Sequence, residues 1–425
     1  MQVVRCDGSP ASVAELTRAL AEALAGGPAV LPVDGAVPEG GTVSGTVSGT
    51  GGGTGGGTGG GGTGGGTVSG TGGTGGGTDL DWAAGLPEPG PGAALVIETS
   101  GSTGGPKRVV LSSAALRASA AATHRRLGGP GHWLLALPAH HVAGAQVISR
   151  GLIAGHRPTV LDSAGGFRPE RFGAVAGELL AATTGERRYT SLVPTQLHRV
   201  LGEGGGSALA ALRGFDAVLV GGAAAPRSLL AEARAAGVAV VTTYGMSETA
   251  GGCVYDGTPL DGVRVRLDPA DARISLSGPM LASGYLGDPA RTAEVFGDGW
   301  FHTSDLGHWD PDGRLRVLGR VDDVIITGGE KVHPAAVERV LTAQPGVRAA
   351  CVVGLADPEW GQLVAAAVVC ADPAGLDAGG LGNAVRAELG AASVPRLMRE
   401  LAELPVRGIG KPDRAEVVRL LAGSS

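Results

Sequence analysis

The hydrophobic positions of this chain alternate, from residue 92 onward, between short apolar runs and longer stretches of helical spacing. The runs typical of buried strands lie at 93–97, 133–137, 159–161, 217–220 and 238–241. The stretches with apolar residues three or four apart lie at 144–153, 169–182 and 227–236. Because strands and helices alternate, the pattern predicts an α/β fold whose sheets are mostly parallel and covered by helices.

The pattern changes after Ser247, where shorter strands with alternating polar and apolar residues begin, and again beyond Gly319. The later strands are predicted at 263–267, 273–276, 352–353 and 364–369. The first two indicate a β-rich subdomain, whereas the last two are combined with amphipathic helices. We therefore expect a large domain at 79–319 and a small α+β C-terminal domain at 320–425.

Residues 40–78 form a tract of glycine, threonine and serine whose only apolar side chains are those of three valines. Ordering its 39 residues would cost about 1–2 kcal/mol each in backbone entropy, whereas burying a valine returns about 1.5–3 kcal/mol. The entropy cost is larger, so we expect 40–78 to be a disordered linker. It would tether the N-terminal segment, 1–39, without fixing its position. That segment contains one predicted helix, at 12–25, with leucines at helical spacing.

Composition and charge restrict the partners and the compartment. A net charge of −6 gives no reason to expect nucleic acid or an anionic membrane surface as a partner. No apolar run approaches the roughly 18 residues of a membrane-spanning helix, and the first residues lack the apolar stretch of a signal peptide. The four cysteines are scattered without a Cys-x-x-Cys pair, which argues against a disulfide framework or a cysteine zinc site. Together these features predict a cytoplasmic protein.

A loop of hydroxyls, glycines and one lysine follows the first apolar run, at 99–107. Glycines let backbone N–H groups face an anion, and hydroxyls and a lysine add donors, so the loop suits a polyphosphate. It is not a Walker A loop, because Pro106 precedes Lys107 and the chain continues as an extended segment until Ser113. We expect the tip of a strand-loop-strand element. Taken alone, the same composition is equally typical of a solvated hairpin.

This loop resembles the phosphate loop of the acyl-adenylate-forming (AMP-binding) superfamily, Ser/Thr-Gly-Ser/Thr-Thr-Gly-x-Pro-Lys. Four further segments resemble the family's other motifs in the family's order: 244–249 (Tyr-Gly-x-Thr-Glu), 300–307 (Arg-Thr-Gly-Asp-Leu-Gly), 319–332 (the hinge) and 404–414 (the Gly-Lys loop). His302 and Ser304 depart from the second of these motifs. Five motifs in the right order make coincidence negligible, and the resemblance covers all but about the first 90 residues.

The resemblance implies a role for each matching residue. The ATP-binding residues would be Thr99, Ser100, Gly101, Ser102, Thr103, Gly104, Lys107, Gly222, Ala223, Tyr244, Gly245, Ser247, Asp305 and Arg320. The catalytic residues would be Lys411, which bridges the attacking carboxylate and the α-phosphate, His141, which gates the acyl pocket, and Glu248, which also binds Mg²⁺. Asp322 would be the hinge.

The reaction that the family implies has two steps at one active site. A carboxylate attacks the α-phosphate of ATP, pyrophosphate leaves, and an acyl-adenylate remains. The C-terminal domain, which is mobile in this family, then pivots at the hinge, moves Lys411 out and brings the turn Gly328-Gly329 beside the thiol acceptor. The implied cofactors and co-substrates are therefore ATP, Mg²⁺ and coenzyme A. The implied partner is a small carboxylic acid, with the oligomeric state, monomer or homodimer, left open.

Within the superfamily, 135–144 and 327–330 look most like the o-succinylbenzoate–CoA ligases of actinobacterial type, which act in menaquinone biosynthesis. A dicarboxylate needs a cation for the carboxylate that is not activated, and Arg150 is a candidate because arginine binds carboxylates bidentately. A solvent-facing Arg150 is an equal interpretation. Another aryl or medium-chain acyl–CoA ligase, or a stand-alone adenylation domain that loads a carrier protein, remains an alternative.

Overall fold

The structure is a computed structural model in which residues 1–35, 83, 85–99, 106–202, 206–370, 375–407 and 411–423 are described. The first strands are β1 (Gln2–Cys6), β2 (Val30–Asp34), β3 (Ala93–Thr99), β4 (Lys107–Ser112), β5 (His132–Leu135), β6 (Thr159–Val160), β7 (Arg188–Leu192), β8 (Ala217–Val220), β9 (Val240–Met246), β10 (Gly251–Tyr255) and β11 (Thr258–Pro259). The later strands are β12 (Arg264–Leu267), β13 (Arg273–Ser277), β14 (Gly284–Tyr285), β15 (Phe296–Gly297), β16 (Trp300–Trp309), β17 (Leu315–Arg320), β18 (Ile325–Thr327), β19 (Glu330–Val332), β20 (Val347–Asp357), β21 (Gly361–Cys370), β22 (Leu397–Glu400), β23 (Val406–Arg407) and β24 (Lys411–Pro412).

The α-helices cover the sheets and lie mostly between strands. They are α1 (Pro10–Leu24), α2 (Ser113–Leu127), α3 (Val142–Ile153), α4 (Pro169–Ala182), α5 (Pro194–Gly202), α6 (Ser207–Leu212), α7 (Arg227–Ala235), α8 (Pro289–Val295), α9 (Pro334–Thr342), α10 (Ala378–Leu389) and α11 (Arg414–Ala422). Within the described part of the chain, no helix has the length and apolar character needed to cross a membrane. The predicted α/β class is confirmed.

The central sheet has the order β11-β10-β9-β8-β7-β5-β6, and its strands are parallel from β9 to β6. Both of its faces are buried. On β8, Ala217 and Leu219 belong to one core cluster, whereas Val218 and Val220 belong to the cluster on the other face. Because successive side chains point to opposite faces, a continuous apolar run is what a doubly covered strand requires.

The second large sheet, with the order β1-β2-β3-β4-β14, includes the N-terminal segment. Strand β2 runs parallel to β1 and to β3, where Val30 pairs with Leu95. Leu16 and Leu20 of α1 are fully buried in the same core cluster as Leu95. The expectation that the N-terminal segment is tethered without a fixed position is therefore wrong, because its apolar strands and helix are buried in the large core.

The linker prediction itself, 40–78, lies outside the described residues. The N-terminal segment, residues 1–35, belongs to the same compact unit as residues 87–425. The entropy cost applies to the Gly/Thr tract, whereas apolar residues of the strands on either side of it, such as Val30 and Leu95, are buried. The domain limits expected from the sequence, 1–39, 40–78, 79–319 and 320–425, stay predictions.

Two mainly antiparallel sheets and the two-stranded antiparallel sheet β23-β24 contain the remaining strands of the described chain. The predicted β-rich subdomain is the sheet β12-β13-β16-β15, with β17 beside β16. The C-terminal region forms the sheet β19-β18-β21-β20, to which β22 adds in parallel. On one face, α9 and α10 cover it with a core that includes Val337 and Val385, and on the other face Val417 and Leu421 of α11 pack against it. This is the small α+β arrangement that the sequence predicts.

Candidate active site

The carboxyl ends of β5, β8 and β9 meet at one edge of the central sheet because these strands are parallel. The loops that leave this edge carry His141, the Gly222-Ala223 turn and the short 3-10 turn Ser247–Thr249. In open α/β sheets ligands bind in the crevice outside the carboxyl ends of the strands. The structure thus brings the sequence motifs from three separate strands to the expected edge.

Tyr244, Asp305 and Arg320 form a connected polar cluster at this edge. The Tyr244 hydroxyl donates to Asp305 Oδ2 at 2.8 Å, and Arg320 Nη1 donates to Asp305 Oδ1 at 3.3 Å. Strands β16 and β17 bring Asp305 and Arg320 together, since the two residues are register partners. Burial raises the pKa of Asp305, while the Tyr244 hydroxyl and the charges of Arg320 and Lys411 act in the opposite direction. The two hydrogen bonds therefore fix the orientation of the Asp305 carboxylate.

Glu248 is held by a residue that the sequence motifs did not indicate. The Tyr285 hydroxyl donates to Glu248 Oε1 at 2.8 Å. Lys107 Nζ lies 5.9 Å from the centre of the same tyrosine ring, and Arg291 Cζ lies at the same distance. Burial, with a smaller contribution from Arg291, lowers the pKa of Lys107, and Glu248 acts against this. The lysine of the phosphate loop, the candidate Mg²⁺ ligand and Tyr285 thus form one unit.

Pairing between β14 and β4 explains why these three side chains meet. Tyr285 pairs with Val109, two residues after Lys107. On the other side, Thr99 ends β3 opposite Lys107, and its hydroxyl donates to the Lys107 carbonyl at 3.4 Å. The predicted strand-loop-strand element is therefore present. Ser100, Gly101, Ser102, Thr103 and Gly104 lie outside the described residues.

His141 caps the N-terminus of α3, where its carbonyl accepts the Ala145 N–H at 2.9 Å. Its ring centre lies 4.2 Å from that of His140. Burial, together with smaller contributions from the charges of His140 and Lys411, lowers the pKa of His141 to about 4, so the imidazole is neutral at pH 7. A β-carbon at Gly144 would collide with the Pro138 carbonyl oxygen, so glycine lets the helix start close to this loop.

Lys411 lies on β24, close enough for its charge to act on both His141 and Asp305. The preceding residues, 408–410, are outside the described part of the chain. Three residues further on, Arg414 forms ion pairs with Glu338 at 2.9 Å and with Asp323 at 3.4 Å. The ion pair with Asp323 connects the start of α11 with the residue directly after Asp322. Strand β24, which contains Lys411 and precedes α11, is thereby attached to the hinge segment.

The remaining predicted residues occupy turns and loops. Gly222 has φ +80°, a conformation that suits the turn after β8. Gly245 lies so close to Gly251 that a β-carbon there would collide with its carbonyl oxygen. Ser247 starts the 3-10 turn that carries Glu248, and its carbonyl accepts the Ala250 N–H at 3.1 Å.

The hinge and the Gly328-Gly329 turn lie in sequence immediately after β17. Asp322 is exposed in the 3-10 turn Val321–Asp323, and its carboxylate accepts from Arg320 at 3.1 Å. Gly328 and Gly329 have φ of +56° and +83° and form the two-residue turn between β18 and β19. Gly328 N–H donates to the Trp360 carbonyl at 2.9 Å, within the C-terminal region. In this conformation the charge of Lys411 acts on both His141 and Asp305.

Arg150 lies deeper than the other candidate residues, nine positions along α3 from His141, which is about 13 Å along the helix axis. The interpretation that it faces solvent is wrong, because only 3% of its surface is exposed. Its Nη2 donates to the Tyr255 hydroxyl at 3.2 Å, and its guanidinium lies 5.2 Å from the Trp133 ring centre. Among the described residues no carboxylate forms an ion pair with it, and its Nε lacks a hydrogen-bond partner.

Two family models of known proteins match this chain. Residues 79–286 match the family model described as AMP-binding enzyme, and residues 336–411 match the AMP-binding enzyme C-terminal domain. A probable 2-succinylbenzoate–CoA ligase of Mycobacterium tuberculosis is 49% identical over 337 residues, which are 78% of this chain and 85% of the relative. The chain belongs to the AMP-binding enzyme family.

Solved structures of other AMP-binding enzymes have the same fold. An amide bond synthetase from Marinactinospora thermotolerans superposes with a TM-score of 0.68 at 33% identity, over 77% of this chain and 70% of that one. The o-succinylbenzoate coenzyme A synthetase of Bacillus subtilis, solved with its acyl-adenylate intermediate, gives a TM-score of 0.64 at 28% identity, over 76% and 69%. The same synthetase has been solved with ATP and magnesium, with a TM-score of 0.63. This AMP-binding enzyme therefore has relatives with two different acceptor chemistries.

Proposed function

We propose that this chain is an ATP-dependent 2-succinylbenzoate–CoA ligase, which forms an acyl-adenylate and then a coenzyme A thioester. The observation that carries the proposal is the 49% identity to a probable ligase of that name, over 85% of that relative. The site supports the same chemistry, since Lys411, Lys107, Glu248 and Asp305 all lie at the carboxyl edge of the central sheet or beside it. A role in menaquinone biosynthesis follows from this assignment.

Adenylate formation joins two groups that are neither strong nucleophiles nor strong electrophiles, so the protein contributes positioning and charge neutralisation. The Lys411 ammonium neutralises the attacking carboxylate and the α-phosphate at once. Lys107 binds the departing phosphates, and Asp305 fixes the ribose in the orientation set by Tyr244 and Arg320. The neutral His141 shapes the acyl pocket without repelling the Lys411 ammonium.

Glu248 fits the role of a Mg²⁺ ligand. Its Oε1 accepts the Tyr285 hydroxyl, and that hydrogen bond does not use Oε2. Mg²⁺ prefers hard oxygen ligands and is usually bound by one or two carboxylates together with substrate phosphates, so this donor set is suitable. When bound, Mg²⁺ would neutralise charge on the phosphates. Tyr285 keeps the Glu248 carboxylate oriented for that contact.

Arg150 supports a dicarboxylic substrate. A buried cation without an anion is costly, because the charge has lost its hydration and gained no counter-ion. Trp133 and Tyr255 offset part of this cost but supply no negative charge. The second carboxylate of 2-succinylbenzoate would supply it.

The proposed function predicts the products of an assay with a panel of acids. With 2-succinylbenzoate, ATP and Mg²⁺, we expect pyrophosphate release to become catalytic only when coenzyme A is added, because the thiol must remove the bound adenylate. Benzoate, ferulate, octanoate and malonate test the alternative acids, and an amine or a carrier-protein thiol tests the alternative acceptors. Faster turnover with one of these acids or acceptors would contradict the assignment.

Tyr285→Phe is expected to weaken MgATP binding about 10-fold, since partners that orient a metal ligand contribute roughly 10–100-fold to metal affinity or activity. The change removes one hydroxyl and keeps the ring that packs near Lys107. Calorimetric titration measures the affinity for MgATP without turnover. A second titration, with ATP in the presence of chelator, measures the affinity for ATP without Mg²⁺. The matched control is Tyr189→Phe, whose hydroxyl donates to the backbone carbonyls of 127 and 129. An unchanged MgATP affinity in Tyr285→Phe would contradict the role of this tyrosine.

A further inference from the structure

Three side chains that bind metals in other proteins, His132, His156 and Glu186, lie together at the amino edge of the central sheet. One potential ligand atom from each lies within 4.8 Å of the others. This edge is opposite the carboxyl edge that carries the candidate active site. The mechanism described above uses none of the three residues.

Topology brings them together. Strand β5 lies between β7 and β6 and is parallel to both. His132 is the first residue of β5, Glu186 lies two residues before β7, and His156 lies three residues before β6. The amino ends of adjacent parallel strands share one edge, so each of three neighbouring strands contributes one ligand at its start. The three residues are distant in the sequence, so the fold and not local sequence brings them together.

The two histidines are held in place by their backbones. His132 N–H donates to the Arg187 carbonyl and His156 N–H donates to the Gly151 carbonyl, each at 2.8 Å. Their ring centres are 3.9 Å apart with a tilt of 32°, and His132 Nε2 lies 2.8 Å from Glu186 Oε2. The Glu186 side chain is 55% exposed, so it can change rotamer without disturbing the core.

We propose that His132, His156 and Glu186 form a Zn²⁺ site, with water as the fourth ligand. Two imidazoles and one carboxylate are a donor set that suits Zn²⁺, whereas Mg²⁺ and Ca²⁺ prefer oxygen ligands alone. Bonds of about 2.0–2.2 Å in a tetrahedron place ligand atoms roughly 3.3 Å apart. The widest pair must therefore approach by up to roughly 1.5 Å. The partly exposed ligands also leave a path for the ion to enter.

A bound ion would cross-link the starts of β5, β6 and β7. It binds the folded chain and not the unfolded one, so an ion at 100 times its dissociation constant raises the folding equilibrium constant about 100-fold. We expect this to raise the melting temperature by about 2–5 °C. Turnover should not change, because the site lies at the edge of the sheet opposite Lys411 and Glu248.

The test is a calorimetric titration of the full chain with Zn²⁺ after treatment with chelator, in a Cys370→Ser background because that thiol is partly exposed. We expect one ion per chain. His156→Ala and Glu186→Gln should each weaken binding by more than about 10-fold, since even indirect partners of a metal site contribute that much. His198→Ala, a half-buried histidine on α5, is the matched control and should bind Zn²⁺ as the parent does.

Thermal unfolding with and without Zn²⁺ is the second readout, with Mg²⁺ as the control ion. The proposal is supported if Zn²⁺ raises the melting temperature of the parent and of His198→Ala, but not of His156→Ala or Glu186→Gln. It is overturned if the parent does not bind Zn²⁺ or if binding survives both substitutions. Where a variant does not melt reversibly, the absorption of bound Co²⁺ in the folded protein compares metal binding between the parent and that variant.

Discussion

Lys411→Ala is expected to reduce acyl-adenylate formation by at least about 10²–10³-fold and to spare thioester formation from a supplied acyl-adenylate. The expectation rests on the proposed role of Lys411 in the first step and on its charge, which acts on His141 and Asp305. Removing one preorganised charge contact to a transition state costs about this much. Isotope exchange between pyrophosphate and ATP measures the first step, and thiol capture of synthetic adenylate measures the second.

Lys331→Ala is the matched control for this prediction. Lys331 is an exposed lysine on β19 in the same C-terminal region, and its loss should leave adenylate formation unchanged. Equal losses in both steps for Lys411→Ala would mean that Lys411 stabilises the fold or binds the adenylate, and the two-step use of the C-terminal domain would lose its support.

The few lysines of the sequence coincide with segments that resemble the family's motifs. The chain contains only three lysines, Lys107, Lys331 and Lys411, against 34 lysines and arginines together. Arginine serves as the cation almost everywhere else, and the two residues are not interchangeable where a compact ammonium is needed. Each lysine falls within or beside a segment that resembles a family motif. The phosphate loop and the Gly-Lys loop could be located in the sequence from their resemblance to the family's motifs.

Other parts of the fold could not be predicted from local pattern. Strand β7 contains Thr190 and Ser191, which read as polar, yet both are buried, and the Thr190 hydroxyl donates to the Leu134 carbonyl at 3.0 Å. A buried polar residue whose hydroxyl is hydrogen-bonded to the neighbouring strand adds nothing to the apolar pattern from which buried strands are predicted. The pairing of Val30 with Leu95 spans the entire Gly/Thr tract, and the periodicity of either strand does not reveal a partner so distant in the sequence.

Contacts between residues that are distant in the sequence also limited the prediction of the site. Most of the residues found from the sequence lie within motifs, such as Tyr244, Glu248 and Asp305. Tyr285 was missed because it lies outside the five segments, and only the pairing of β14 with β4 brings it to Lys107. The proposed role of Tyr285 depends on its tertiary contacts with Lys107 and Glu248. Spacing along the sequence does not predict these contacts.

Arg150→Met is expected to raise the KM for 2-succinylbenzoate about 10–150-fold and to change the KM for a monocarboxylic analogue little. The methionine keeps the apolar stem against Trp133 and removes the charge. A charge-assisted hydrogen bond is worth roughly 1.5–3 kcal/mol, which corresponds to that range of affinity. The analogue has no second carboxylate, so it cannot lose this contact. Steady-state kinetics with both acids measures the difference.

Stability must be separated from recognition in this experiment, because Arg150 is buried in the large core. Tyr255→Phe is the matched control, since it removes the hydroxyl that accepts from Arg150 but keeps the charge. We expect Tyr255→Phe to lower the melting temperature without changing the ratio of the two KM values. If Arg150→Met raised both KM values equally, Arg150 would be a structural cation that Trp133 and Tyr255 stabilise. The second carboxylate would then require another ligand, nearer to His141 at the carboxyl edge of the central sheet.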